Sequence, residues 1–207
     1  MRTKTLLLSA VLGVAIVATS LAQVYSVNVV GYVNKDIPAG LSMIANPLKS
    51  TSDTLGALIP APPLFSNFYK WNGAGFDIAT FTLAGWDLPA LTLNPGEGAF
   101  LNTDSAFTIT FVGEVMEGNL VNPIPALLSI RASMVPQAGT IEALGLTTLG
   151  LFDNLYKWDA STTNWVIYTL APAGWDPSVP SVAIAEPVFI YANAACSWDR
   201  NFTVPRP

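Results

Sequence analysis

The chain has 207 residues, with 9 Lys+Arg, 14 Asp+Glu, no His and one Cys; 51% of the residues are apolar and 11% are charged. Without an imidazole, Ser-His-Asp and Cys-His nucleophilic catalysis, His-ligated zinc, copper or iron sites and histidine acid–base chemistry are all excluded. The single Cys196 makes neither an internal disulfide nor a thiolate metal cluster, and with only Arg200 as a basic neighbour it reads as a small apolar side chain.

The N-terminal residues 1–22 read as a secretory signal peptide. Arg2 and Lys4 precede an apolar stretch at residues 6–17, and Ser20 and Ala22 place small side chains at the −3 and −1 positions of a cleavage site before Gln23. The stretch is shorter than the roughly 18 apolar residues a spanning helix needs, so no membrane span is expected after its removal. Loss of Arg2 and Lys4 takes the net charge from −5 to −7, an acidic balance that disfavours nucleic acid as a partner. The expected location is secreted: periplasmic, extracellular or cell-surface.

Beyond the leader, short β-branched and aromatic runs bounded by Gly, Pro, Asn or Asp predict strands over residues 26–34, 41–45, 67–71, 76–81, 98–102 and 107–112. Phe107-Thr108-Ile109-Thr110-Phe111 alternates as a half-buried strand does. A short capped helix is expected over residues 52–59, and its counterpart over residues 140–146, each with a hydroxyl or acidic residue ahead of a small apolar run. Prolines 60, 62, 63, 123, 125, 172, 177 and 180 mark the connections.

The chain is internally duplicated. Phe65-Ser66-Asn67-Phe68-Tyr69-Lys70-Trp71 returns 87 residues later as Phe152-Asp153-Asn154-Leu155-Tyr156-Lys157-Trp158, and Ile37-Pro38-Ala39 returns as Ile124-Pro125-Ala126. Past a two-residue insertion the offset becomes 89: Ala84-Gly85-Trp86-Asp87 matches Ala173-Gly174-Trp175-Asp176, and Glu97 and Phe100 match Glu186 and Phe189. A leading-strand match of Val30-Gly31-Tyr32-Val33 to Val112-Gly113-Glu114-Val115 places the units at residues 23–111 and 112–207. Two copies of this length are too few for a solenoid. The pattern predicts an all-β fold of two sandwich-like or partly open barrel-like modules, pseudo-twofold related, sharing a core or a broad interface.

Three repeated pairs carry the candidate chemistry. Trp86 with Asp87, and Trp175 with Asp176, combine an aromatic face and a carboxylate, which suits a sugar ring; the competing reading is a core plug beside a turn cap. Glu97 and Glu186 form a glycosidase-like pair if the units bring them together across the pseudo-twofold. Tyr69-Lys70-Trp71 and Tyr156-Lys157-Trp158 place two aromatics on one strand face and lysine on the other. No metal, cofactor or catalytic motif is expected, and Trp86, Asp87, Trp175 and Asp176 are the candidate ligand-binding residues.

The blocks VYSVNVVGYVN at residues 24–34, IPAGLSMIANPL at 37–48 and LNPGEGAF at 93–100 resemble a family of uncharacterised exported β-proteins of Verrucomicrobia and related bacteria. More loosely, they are similar to tandem β modules of bacterial surface proteins. The resemblance implies export and a β fold, and brings no catalytic residues with it. The second unit departs from it, with Arg131-Ala132-Ser133 for Ile44-Ala45-Asn46 and Ala185-Glu186-Pro187 for Gly96-Glu97-Gly98. The combined expectation is a non-enzymatic protein of surface structure, adhesion or assembly, with a protein or surface polymer, including a glycan, as partner and self-association as an option. A carbohydrate-binding module built on the Trp-Asp pairs is the alternative.

Overall fold

The computed structural model describes residues 29–205; the leader, residues 1–22, and the start of the 26–34 segment lie outside them. The first unit contains β1 (Val30–Ile37), β2 (Gly40–Ala45), α1 (Leu55–Leu58), β3 (Asn67–Trp71), β4 (Phe76–Thr82), β5 (Gly85–Trp86), β6 (Gly98–Thr103) and β7 (Phe107–Glu114). The second contains β8 (Gly118–Ile124), β9 (Leu127–Arg131), β10 (Gly139–Thr140), β11 (Asn154–Asp159), β12 (Asn164–Ala171), β13 (Gly174–Asp176), β14 (Ser181–Val182), β15 (Val188–Ala192) and β16 (Cys196–Phe202). The fold is all-β, with open antiparallel sheets.

The duplication holds strand by strand. One five-stranded sheet runs β2-β6-β3-β4-β5 and the other β9-β15-β11-β12-β13, the same order, and each unit adds a two-stranded ribbon, β1-β7 or β8-β16. Register agrees as well: Asn67 pairs with Thr80 and Asn102, and Asn154 pairs with Thr169 and Tyr191, their counterparts at the two offsets. In each unit the threonine hydroxyl also donates to the asparagine side chain, at 2.8 Å for Thr80 to Asn67 and 2.7 Å for Thr169 to Asn154.

Two expectations are corrected. Val112, Gly113 and Glu114 close β7 and pair with Tyr32, Gly31 and Val30, so they are the partners of the leading strand and not its second copy. The second copy is β8, because Lys35 opposite Ile109 and Asn122 opposite Trp198 occupy the same ribbon position. A boundary at residue 112 therefore falls inside β7. The helix, too, forms in one copy. In α1 successive backbone donors Leu58 and Ile59 reach Thr54 and Leu55, although the Thr54 side chain makes no capping bond. In the second unit Gly145 replaces Leu58 and takes φ +97°, so Gly145 N–H bonds to Glu142 and Leu146 N–H to Ile141, the closing pattern of a helix C-terminus reached before a full turn has formed.

Each unit packs its own core between sheet and ribbon. Ile37, Ile44, Leu55, Phe68, Leu93, Leu101 and Phe111 are fully buried in the first; Ile124, Ile141, Leu146, Leu155, Val188 and Ile190 fill the second. This follows from the period-two pattern, since inward positions of β7 such as Ile109 and Phe111 alternate with exposed Thr108, Thr110 and Val112. The opposite faces of the sheets meet each other. Met43, Phe100 and Ile130 are buried there among Leu41, Tyr69, Trp71, Trp158 and Phe189. The seam is reciprocal: Trp71 Nε1 donates to Leu128 O at 3.0 Å, and Trp158 Nε1 donates to Leu41 O at 2.8 Å. Backbone contacts repeat the symmetry, with Ala45 N–H to Ala185 O at 3.2 Å and Ala132 N–H to Gly96 O at 3.0 Å. Edge-on aromatic pairs such as Trp71–Phe76 and Trp158–Trp165, with centroids 5.1 and 5.2 Å apart, extend the layer.

Candidate functional site

The two Gly-Trp-Asp pairs differ in burial. Trp86 is 6% exposed, its indole N–H donates to Ile59 O at 2.7 Å, and its ring packs edge-on against Phe68 and Phe81. The packing role accounts for it, because a buried ring has no face to offer. Asp87 accepts from the Thr80 N–H at 2.8 Å and latches β5 to β4. Trp175 is half-buried and packs against the second core, while Asp176 pairs with Thr169 at the sheet edge.

Glu97 and Glu186 are partners of the repeated lysines. Lys70 donates to Glu97 at 2.9 Å and to Thr92 O at 2.7 Å; Lys157 lies 3.3 Å from Glu186 and donates to Ser181 O at 2.7 Å. The backbone three residues upstream fixes each carboxylate, through Asn94 N–H at 2.8 Å and Ala183 N–H at 2.7 Å. Two of the three repeated charged pairs are thus one duplicated ion pair. It anchors β3 to the segment before β6, and β11 to the segment before β15. The pseudo-twofold sends the two glutamates to different places: Glu186 lines a cleft between the units that Glu97 does not reach.

That cleft has a volume of about 610 Å3 and is lined by charged and aromatic side chains from both units. β1 contributes Lys35 and Asp36, β2 contributes Ser42 and Met43, the β11–β12 hairpin contributes Lys157, Trp158, Asp159 and Tyr168, and Glu186 closes one side. Its volume is that of a small-molecule site. Lys35 is an inward position of β1 between Val33 and Ile37, half-buried, and makes no hydrogen bond or ion pair among the described residues. Burial pulls its ammonium below the ordinary lysine range; Glu186 and Asp36 oppose that pull and Lys157 reinforces it. Ser42 Oγ is buried and has no partner.

The hairpin turn is built on Asp159, which accepts from Ser161 N–H at 2.9 Å, Ser161 Oγ at 2.7 Å and Thr162 Oγ1 at 2.9 Å. Those donors hold its carboxyl at about 2. Because the folded value is depressed, the turn keeps this stabilisation at pH above the free carboxyl range and loses it as pH falls toward 2. An NMR titration is expected to find Asp159 with a midpoint near 2, and Ser161→Ala to move it upward toward 3.8.

Sequence reasoning missed Lys35 and the seam roles of Trp71 and Trp158. The signal for Lys35 was present: it is a charge at an inward position of an alternating strand, and the second copy has Asn122 there. Cys196 is half-buried against the second core, and its thiol is pushed up by burial, which agrees with a packing role. No protein-family model, curated protein or solved structure matches this chain. No helix among the described residues is long and apolar enough to cross a membrane.

Proposed function

We propose that this is an exported, non-enzymatic β scaffold acting in cell-surface structure, adhesion or assembly, with β1 as its contact strand. One observation carries the reading: β1 has β7 as its sole hydrogen-bonded neighbour among the described residues, and the outer face of that ribbon carries Val30, Tyr32 and Val112 at 67%, 70% and 55% exposure. An edge strand with unpaired backbone groups and apolar outward side chains is a template for a further strand. The second ribbon is blunted by comparison. Asn119 stands where Tyr32 does, and Pro123, which has no amide donor, stands where Asp36 does. Export rests on the leader-like residues 1–22 and on the family resemblance of the three sequence blocks.

Light scattering on the purified protein tests this reading. The wild type is expected to self-associate with rising concentration, and Tyr32→Lys, which puts a charge on the outer face without touching the core, to remain monomeric under the same conditions. If wild type and Tyr32→Lys are both strict monomers throughout, β1 is not the contact strand.

A further inference from the structure

The two units are built alike, so their two inter-unit corners ought to be alike, and they are not. In the corner around Glu97, Asn122 fills the space: its Nδ2 donates to Gly96 O at 2.8 Å and to Ala132 O at 3.1 Å. In the corner around Glu186 the same ribbon position holds Lys35, which donates to nothing among the described residues, and the space is an open cleft of about 610 Å3. Ser129, the counterpart of Ser42, also has an unpartnered buried hydroxyl, so the serine belongs to the fold. Lys35 for Asn122, Asp36 for Pro123 and the two-residue insertion in the β11–β12 hairpin, whose Asp159, Ala160 and Ser161 line the cleft, set the open corner apart.

The chemistry of the lining specifies an occupant. The Lys35 ammonium, which can only donate, has no partner among the described residues, so a ligand must bring it an acceptor; the Ser42 and Tyr168 hydroxyls are likewise unpartnered and can donate or accept. Two ammonium groups and three carboxylates line the cleft, so its field repels a polyanion, and a single negative charge is accommodated only in direct contact with Lys35. Asp159 commits three lone pairs to its turn and Asp36 accepts from Thr108 Oγ1 on the outer face of the ribbon, whereas Glu186 accepts from Ala183 N–H, pairs with Lys157 and keeps lone pairs for hydroxyl groups. Trp158, whose N–H is committed to Leu41 O, offers only its ring to the cleft, beside Tyr168 and Val166. We infer that the open inter-unit cleft is a binding site for a uronate: one carboxylate on a hydroxyl-bearing ring, with Lys35 taking the carboxylate, Glu186 taking hydroxyls, and Trp158 flanking the ring.

The burial-lowered affinity of Lys35 for its proton fits this assignment, since a carboxylate brought beside it restores the charged form. The test is a tryptophan-fluorescence and NMR titration of the purified protein with galacturonate, galactose and inorganic phosphate in parallel. Galacturonate is expected to bind saturably and to shift the Trp158 indole signal, with galactose about tenfold or more weaker for want of the charge-assisted bond. Lys35→Met, which keeps the apolar stem, is expected to weaken galacturonate by about tenfold or more and to leave the fold intact, while Lys70→Met in the closed corner costs some stability and leaves galacturonate binding unchanged. The inference is overturned if galacturonate fails to bind, if galactose binds as well, if phosphate binds more tightly than galacturonate, or if Lys35→Met binds as wild type does.

Discussion

Trp86→Ala is expected to lower stability by about 3–5 kcal/mol, the range for emptying a buried aromatic site. The indole lies within the first core, where it closes the gap between α1, β4 and β5, so its removal leaves a cavity lined by Phe68, Phe81 and Leu58 neighbours that the sheet holds apart. It also strips the Ile59 carbonyl of its 2.7 Å donor. Trp86→Phe keeps most of the ring and loses the hydrogen bond, and is expected to cost about 1–2 kcal/mol. Urea unfolding of the two variants checks both values. A Trp86→Ala protein of wild-type stability would mean the ring is a surface platform after all.

Gly145→Ala is expected to cost about 3 kcal/mol or more, from two sources that act together. Gly145 holds φ +97°, where an L side chain adds roughly 1–2 kcal/mol of strain. A Cβ there would also run into the backbone carbonyl oxygen of Asp199, and backbone cannot swing aside as a side chain can. The turn would have to lift off β16, taking with it the Trp198 Nε1 to Leu144 O bond of 2.9 Å that ties the second core to the same turn. Gly56→Ala, in α1, meets only Pro89 at 3.2–3.3 Å and has no left-handed φ, so it is expected to be much milder. The contrast is read by thermal unfolding of the two variants side by side.

Much of the fold was legible in the chain because duplication converts weak strand signals into paired ones. Asn67–Trp71 and Asn154–Asp159 share residues as well as period, and their sheets share strand order. The leading strand was misplaced because Val-Gly-x-Val is met at two points of one ribbon, and antiparallel pairing sets Gly31 opposite Gly113. Composition cannot tell a strand's partner from its copy; the 87-residue offset, followed strictly, points to Gly118–Ile124. The second helix failed on one substitution, Gly145 for Leu58.

The candidate site was less legible for a physical reason. Repeated residues draw the eye, yet Glu97 and Lys70 are repeated because both units need the same ion pair, and Trp86 and Trp175 both pack against their unit's core. The cleft is distinguished by what is not repeated, Lys35 against Asn122 and the two inserted residues of the β11–β12 turn, and its walls come from both units. The seam of Trp71 and Trp158, with the Ala45–Ala185 and Ala132–Gly96 backbone bonds, holds the units against each other, and sequence separation hides those contacts.

The seam is also the contact that makes two units one fold. With 5-fluorotryptophan in all six positions, 19F NMR through a urea titration follows Trp86 in the first core, Trp198 in the second, and Trp71 and Trp158 between them. A duplicated fold whose units hold each other through reciprocal indole bonds predicts that all four native signals disappear at one midpoint. Separate midpoints for Trp86 and Trp198, with Trp71 and Trp158 released before either, would contradict it.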